Sequence, residues 1–311
     1  MTLLYYDPVF LEHKTGTGHP ERPERLIQIV RQLERTGLSD RCTTPAWAPV
    51  SPARLGRVHD LEYAAAVQAF AAAGGGRIEE DTVVSTESYD AALRAAGAAC
   101  DAVERVVRGE DASALCLVRP PGHHALRDAS MGFCLFNNVA IGARLATAEL
   151  GLDRVLIVDW DVHHGNATQD EFWEDGQVGF LSIHRWPFYP GTGRAEETGS
   201  GPGLGTKLNL PVEMGTPRER YLDLFRSRLE WLAGKIRPQL VLVSAGFDAH
   251  RDDPVGSLEL ETEDYLPLTQ AVLDVADAYA DGKIVSVLEG GYNTGVLAGC
   301  VELHLRTMLE R

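Results

Sequence analysis

"VLIVDWDVHHGN", residues 155–166, joins a purely apolar run to two carboxylates, two imidazoles and an amide. Val155, Leu156, Ile157 and Val158 present no polar group to either side, the pattern of a strand buried on both faces of a parallel sheet. The polar residues follow where the strand has just been buried, and polar groups buried without partners are costly. They are therefore either surface groups in a turn or groups that satisfy one another around a common centre.

Four further runs share this character: "ALCLV" (114–118), "VGFLSI" (178–183), "LVLVSA" (240–245) and "IVSVL" (284–288). Helical patterns lie between most of them. Residues 89–107 carry Leu93, Ala96, Cys100, Val103 and Val107 at helical spacing, and residues 135–150 carry Val139, Ala143 and Ala146 before Gly151. Thr262, Glu263 and Asp264 open a helix that Gly282 ends. Strands alternating with helices predict an α/β fold, an open and mainly parallel sheet with helices on both faces. No linker, repeat or charge block divides the 311 residues, so one domain over 1–311 is expected. The Gly-rich stretch 191–205 reads as a long surface loop.

Each apolar run leads into a polar cluster: "RPPGHHA", "DWDVHHGN", "HRWPFYPGTG", "GFDAH" and "EGGYN". Ligands of open parallel sheets bind beyond the carboxyl ends of the strands, so the five clusters should converge. Asp161 and His163 flank one residue, and an extended backbone sends both side chains the same way. Asp248 ends another strand. Asp, His and Asp make a three-ligand set, and a catalytic zinc keeps three protein ligands and one open position. Two carboxylates neutralise a divalent ion, so its water is acidified less than at an all-histidine site, and a separate base is needed. His123 and His124 are the candidates, with Asp159 and Asn166 available to orient their far nitrogens. Tyr292 follows two glycines that permit close backbone approach, and its hydroxyl can donate to a developing oxyanion. Metal, water, base and phenol are the parts for amide hydrolysis at one metal ion. Singly, each has an ordinary reading as turn, helix cap or core residue; their joint placement at five strand ends outweighs those readings. His13, His59, His250 and His304 are expected to be surface or structural.

Asp and Glu number 45 against 29 Lys and Arg, a net charge of −16. That argues against nucleic acid and anionic membranes as partners and suits a cationic substrate, although an acidic surface is also ordinary for a soluble bacterial protein. The five cysteines are scattered without a CxxC pair, which fits reduced thiols and a cytoplasmic location. "MTLLYYDPVF" lacks a signal-peptide pattern, and no apolar run reaches membrane-spanning length.

"HPERPERL" (19–26), "RPPGHHA" (119–125), "GFCLFNN" (132–138), "DWDVHHGN", "YPGTG" (189–193), "AGFDAHRDDPVG" (245–256) and "LEGGYN" (288–293) resemble, in order and over nearly the whole chain, the histone deacetylase and acetylpolyamine amidohydrolase superfamily. Asn166, where one branch carries Asp, resembles the class II branch and its bacterial relatives. The resemblance implies an arginase-like open α/β fold and a zinc-dependent deacylase. Asp161, His163 and Asp248 would hold Zn2+, His124 would be the general base, His123 an electrostatic partner or acid, and Tyr292 the carbonyl-polarising phenol. A structural K+ would take Asp159, Asp161, His163, Ser182 and the Ile183 carbonyl. Gly132, Phe133, Tyr189 (where Phe is usual), Val255 and Gly291 would form the substrate channel, with Arg25 near an internal cavity and Asp81 at the rim. The substrate implied is an acylated lysine of a peptide or protein, or a similar small acylated amine. Val255 stands where the polyamine-specific branch has Glu, so lysine is expected over acetylated polyamines. Acetylpolyamine amidohydrolase and acetoin-utilisation-type deacetylase are the alternatives. A two-manganese ureohydrolase would need further bridging carboxylates, and a catalytically dead acyl-lysine binder would lack a ligand or the Tyr. The residues leave open the acyl length, zinc or ferrous iron, and a dimer or tetramer.

Overall fold

The structure is a computed structural model that describes residues 2–311. Its strands are β1 (Thr2–Tyr5), β2 (Cys42–Thr43), β3 (Gly76–Arg77), β4 (Val83–Val84), β5 (Ser113–Cys116), β6 (Val155–Asp159), β7 (Val178–Arg185), β8 (Lys207–Val212), β9 (Leu240–Ala245) and β10 (Ile284–Leu288). Its helices are α1 (Glu24–Arg35), α2 (Pro52–Leu55), α3 (Leu61–Ala72), α4 (Ser88–Arg108), α5 (Asn138–Ala148), α6 (Asn166–Glu171), α7 (Arg218–Ile236), α8 (Tyr265–Tyr279) and α9 (Thr294–Leu309). Eight strands form one open sheet in the order β2-β1-β5-β10-β9-β6-β7-β8, and β3 and β4 form a separate small hairpin. Every pairing in the large sheet is parallel.

Burial explains the apolar runs. All side chains of β5, β6, β9 and β10 are buried, because helices cover the sheet: α4 packs on α5, while α1, α9, α8 and α7 pack in succession. From β6 the chain runs outward through β7 and β8, then returns on the other side of β6 as β9. This reversal opens a crevice beyond the carboxyl ends of β6 and β9, where ligands of such sheets bind.

The five anticipated strands all appear, with ends shifted by up to two residues. The helix expected over 135–150 is trimmed to α5, because Asn137 caps it by accepting from the Ala140 N–H (3.1 Å) and the residues before it turn into the site. The helix expected from Thr262 begins as a short 3-10 turn with reciprocal Glu261–Asp264 capping, then continues as α8. β1, β2 and β8 were not anticipated. β8 carries Lys207 and Asn209 among its apolar residues and contains Pro211, features of an edge strand rather than of an apolar run. The stretch 191–205 is a loop, but not wholly at the surface. Gly193 packs on two buried imidazoles, where a Cβ would lie 2.6 Å from the rings of both His164 and His184. No helix among the described residues is long and apolar enough to cross a membrane.

Gly97 lies inside α4, where glycine costs up to about 1 kcal/mol relative to alanine. Residues 47–50 cross the helix there: Trp47 Nε1 donates to the Arg94 carbonyl (3.1 Å) and the Val50 N–H to that of Leu93 (2.9 Å). A Cβ on Gly97 would run into the Ala48 carbonyl and lie 2.9 Å from Val50 N. Gly97→Ala should therefore lower stability by about 1–3 kcal/mol despite its better helix propensity. Chemical denaturation measures this, and an unchanged or raised midpoint would contradict the close-approach reading.

Candidate active site

β6 and β9 deliver the three candidate ligands. Asp161 and His163 follow β6, Asp248 follows β9, and their donor atoms lie within 4.8 Å of one another. Asp161 Oδ1 accepts from the His163 N–H (2.9 Å) and Asp161 Oδ2 from the Gly290 N–H (2.8 Å). Asp248 Oδ1 accepts from the Val162 N–H (2.9 Å), while Asp248 Oδ2 meets only the His163 imidazole. His163 Nδ1 faces both carboxylates, at 2.9 Å from Asp161 and 3.2 Å from Asp248. Burial and the neighbouring Asp161 push the Asp248 carboxyl up to about 7. Burial opposes ionisation of Asp161 too, but His123 and His163 outweigh it and hold that carboxyl far below its usual range. Two buried carboxylates and an imidazole nitrogen aimed between them fit a divalent cation, which would relieve the repulsion. The backbone hugs this centre: a Cβ on Gly290 would lie 2.5 Å from Asp161 Oδ2.

β5 leads to His123 and His124, whose rings lie 4.0 Å apart. His123 Nδ1 lies 3.0 Å from Asp159 Oδ2, and His124 Nδ1 lies 2.6 Å from Asn166 Oδ1. Asn166 Oδ1 can only accept, so His124 donates through Nδ1 and keeps Nε2 as an acceptor. The two environments are opposed. Burial disfavours the charged form of both rings, but Asp159 and Asp161 override it at His123 and raise it to about 10. At His124, burial acts together with the neighbouring His123 and His163 to push it well below 6.5. Adjacent groups driven apart in this way suit opposite proton-transfer roles.

β10 runs into Glu289, Gly290, Gly291 and Tyr292. The fully buried Arg25 clamps this segment: Nε donates to the Gly291 carbonyl (2.6 Å), Nη2 to the Glu289 carbonyl, and Nη1 to Glu21 (3.0 Å). Its guanidinium lies 5.1 Å from the centre of the Tyr292 ring. Asp253 ties the loop after β9 to the same segment, accepting from the N–H groups of Val255 (2.9 Å), Gly256 (3.0 Å) and Tyr292 (2.6 Å).

A cavity of about 250 Å³ opens onto these groups. His124, His163 and Tyr292 line it, and Phe133, Phe188, Tyr189, Val255, Gly132 and Asp81 form its remaining walls. Gly132 presses on His124: a Cβ there would collide with the imidazole ring. Asp81 is fixed by the Thr82 hydroxyl (2.9 Å), which also receives the Phe133 N–H (3.1 Å).

The structure thus brings together the three candidate ligands, both histidines with Asp159 and Asn166, Tyr292, and the channel residues Gly132, Phe133, Tyr189, Val255 and Asp81. Arg25 and Gly291 are not on the cavity wall. They lie behind Tyr292, because the guanidinium is consumed by two carbonyls and Glu21. Of the residues named for potassium, Asp159 and Ser182 are register partners on β6 and β7, Ile183 follows on β7, and the Ser182 hydroxyl meets His184 Nδ1 at 2.9 Å. His13, His59, His250 and His304 are buried and structural; His304, for example, bridges Thr269 (2.7 Å) and Ser286 (2.9 Å). Phe188, Asp253 and Glu289 were not singled out. All three stand inside the motifs quoted above, but nothing local distinguishes them, since their partners lie on other strands.

A model of the histone deacetylase domain matches residues 19–308. The chain is 36% identical to a probable deacetylase of Archaeoglobus fulgidus, covering 100% of this chain and 89% of that protein. It is 36% identical to a histone deacetylase-like amidohydrolase of Pseudomonas aeruginosa, covering 96% and 83%. With human polyamine deacetylase HDAC10 it shares 39% identity over 93% of this chain and 44% of that one. The crystal structure of the HDA15 HD domain superposes with a TM-score of 0.93 at 35% identity, covering 99% of this chain and 90% of that one. The fold, the order of its motifs and these likenesses lead to one conclusion: the chain belongs to the histone deacetylase family.

Proposed function

We propose that this deacetylase-family hydrolase is a metal-dependent amidohydrolase. It removes an acetyl or other short acyl group from the side-chain amine of lysine, or from a similar small amine. The observation that carries the reading is the convergence of His124 and Tyr292 with the Asp161, His163 and Asp248 set at one cavity, with Asn166 on His124 and Asp159 on His123. A zinc ion held by those three would polarise the acyl carbonyl and acidify a water. His124, neutral and with Nε2 free, accepts the proton of the attacking water. His123, held protonated by Asp159, supplies positive charge beside it and a proton for the leaving amine. Tyr292 donates a hydrogen bond to the acyl oxygen as it gains charge. Phe133, Phe188 and Tyr189 enclose the apolar tether, and Asp81 at the mouth suits a donor on the substrate. We extend the reading to a potassium ion held by Asp159, Asp161, His163, Ser182 and the Ile183 carbonyl, bracing the segment that carries the zinc ligands.

The direct test is metal content and turnover together. Purified chain should carry about one zinc-like ion and hydrolyse acetyl-lysine amides. Tyr292→Phe should keep the ion but lose about 100-fold in kcat. Two manganese ions with arginine hydrolysis would replace this reading with a ureohydrolase.

Asn166 gives a pH prediction. The acid limb of kcat/KM reports protonation of the base in the free enzyme. With an uncharged amide on Nδ1, that limb should lie below pH 6.5, because His124 is held below its ordinary value. Asn166→Asp places a carboxylate there, favours the imidazolium and should move the limb upward by about 1 pH unit or more. A pH–rate profile decides, and a limb that stays put or moves down would remove His124 as the base.

Val255 bears on the substrate. It offers no charge to the distal ammonium of a polyamine, and a missing charge-assisted hydrogen bond forfeits about ten-fold or more in discrimination. Acetyl-lysine peptides should therefore be hydrolysed more efficiently than N8-acetylspermidine, and Val255→Glu should narrow the gap. A wild-type preference for the polyamine of more than about ten-fold would assign the chain to the acetylpolyamine hydrolases.

A further inference from the structure

Glu289 is fully buried where β10 ends. Its Oε2 accepts from the backbone N–H groups of Gly122 (2.7 Å) and His123 (3.2 Å), while Oε1 has no partner. Its own carbonyl is held by Arg25, as is that of Gly291, and Gly290 between them donates to Asp161 (2.8 Å). Three consecutive residues therefore touch the turn bearing the two histidines, a metal-ligand candidate, and the clamp behind Tyr292. The turn itself has no slack: a Cβ on Gly122 would lie 2.6 Å from Asn138 N and 2.8 Å from the Phe136 carbonyl. Asp159 and Asn166 orient the imidazole rings, but neither bonds to the peptide groups that carry them. Glu289 does.

We propose that Glu289 is a positioning residue that acts through the Gly122–His123 turn and fixes the distance between His124 and Tyr292, two groups that must reach the same acyl group. This rests on the deacylase reading above. Two pieces of backbone from separate strand ends, β5 and β10, converge on the site, and Glu289 joins them where each turns. The requirement is for an acceptor, not a charge. Both N–H groups converge on the single oxygen Oε2, so one acceptor oxygen at that place meets the need. Gln supplies such an acceptor, and its NH2 falls where Oε1 already lacks a partner. Leu fills similar volume and strands both N–H groups.

The test compares Glu289→Gln and Glu289→Leu in the full, metal-loaded chain, reading kcat and KM on an acetyl-lysine amide, metal content, and hydrogen exchange of the Gly122 and His123 amides. Glu289→Gln should stay within about 3-fold of wild type in both constants. Glu289→Leu should lose about 100-fold in kcat, with KM within about 3-fold, as for a misplaced reacting geometry. Its metal content should be unchanged and its Gly122 and His123 amides should exchange faster. Should the Leu variant fail to fold, Glu289→Asp withdraws the acceptor by a methylene and should show the same two effects more weakly. Wild-type kcat in the Leu variant, or a Gln variant as impaired as Leu, would overturn the proposal. So would a loss of activity that tracks loss of metal. The exchange measurement reads the turn directly. It stands even if the wild type hydrolyses no acylated amine, a result that would sink the deacylase reading instead.

Discussion

Like charges crowded into a dry interior govern this structure. Glu21, Asp159, Asp161, Asp248 and Glu289 are all fully buried. Carboxylates in low dielectric can ionise together only if cations or N–H donors compensate them. Each has its own compensation. Arg25 and Arg119 bracket Glu21. His123 compensates Asp159, and backbone N–H groups from β6 and β10 compensate Asp161. The space between Asp161 and Asp248 has only His163, an arrangement that fits a divalent ion.

That compensation depends on backbone reaching places side chains would fill. Gly122, Gly246 and Gly290 each lie where a Cβ would collide with a site residue or with the chain beside it. Without those glycines the N–H donors could not reach the carboxylates. Parallel strands make the arrangement possible, because all carboxyl ends point to one edge and their loops meet there. The two adjacent imidazoles are then set apart by one atom type. A carboxylate behind His123 keeps that ring charged, and an amide behind His124 leaves it neutral.

Most of this was legible because each buried strand announces itself as an apolar run with chemistry directly after it. "VLIV" before "DWDVHHGN" and "IVSVL" before "EGGYN" fixed both the sheet and the convergence. The edge strands were not legible. β8 has the polar residues and the proline of a strand with one neighbour, and β2 spans two residues. The sequence also could not show long-range pairing. Glu289 meets Gly122 across 167 positions and Asp253 meets Tyr292 across 39, and no local pattern encodes either meeting. Arg25 illustrates the same gap: the resemblance put it near an internal cavity, and only the fold shows the two carbonyls behind Tyr292 that it holds.

Pro211 has a consequence for assembly. It stands in the outermost strand, paired on one side to β7 and open on the other. A proline has no N–H to offer an incoming strand, so a second chain laid along that edge would lose a rung of its ladder. At the opposite edge, β2 is too short to template an extension. Both edges of the sheet therefore disfavour growth by strand addition.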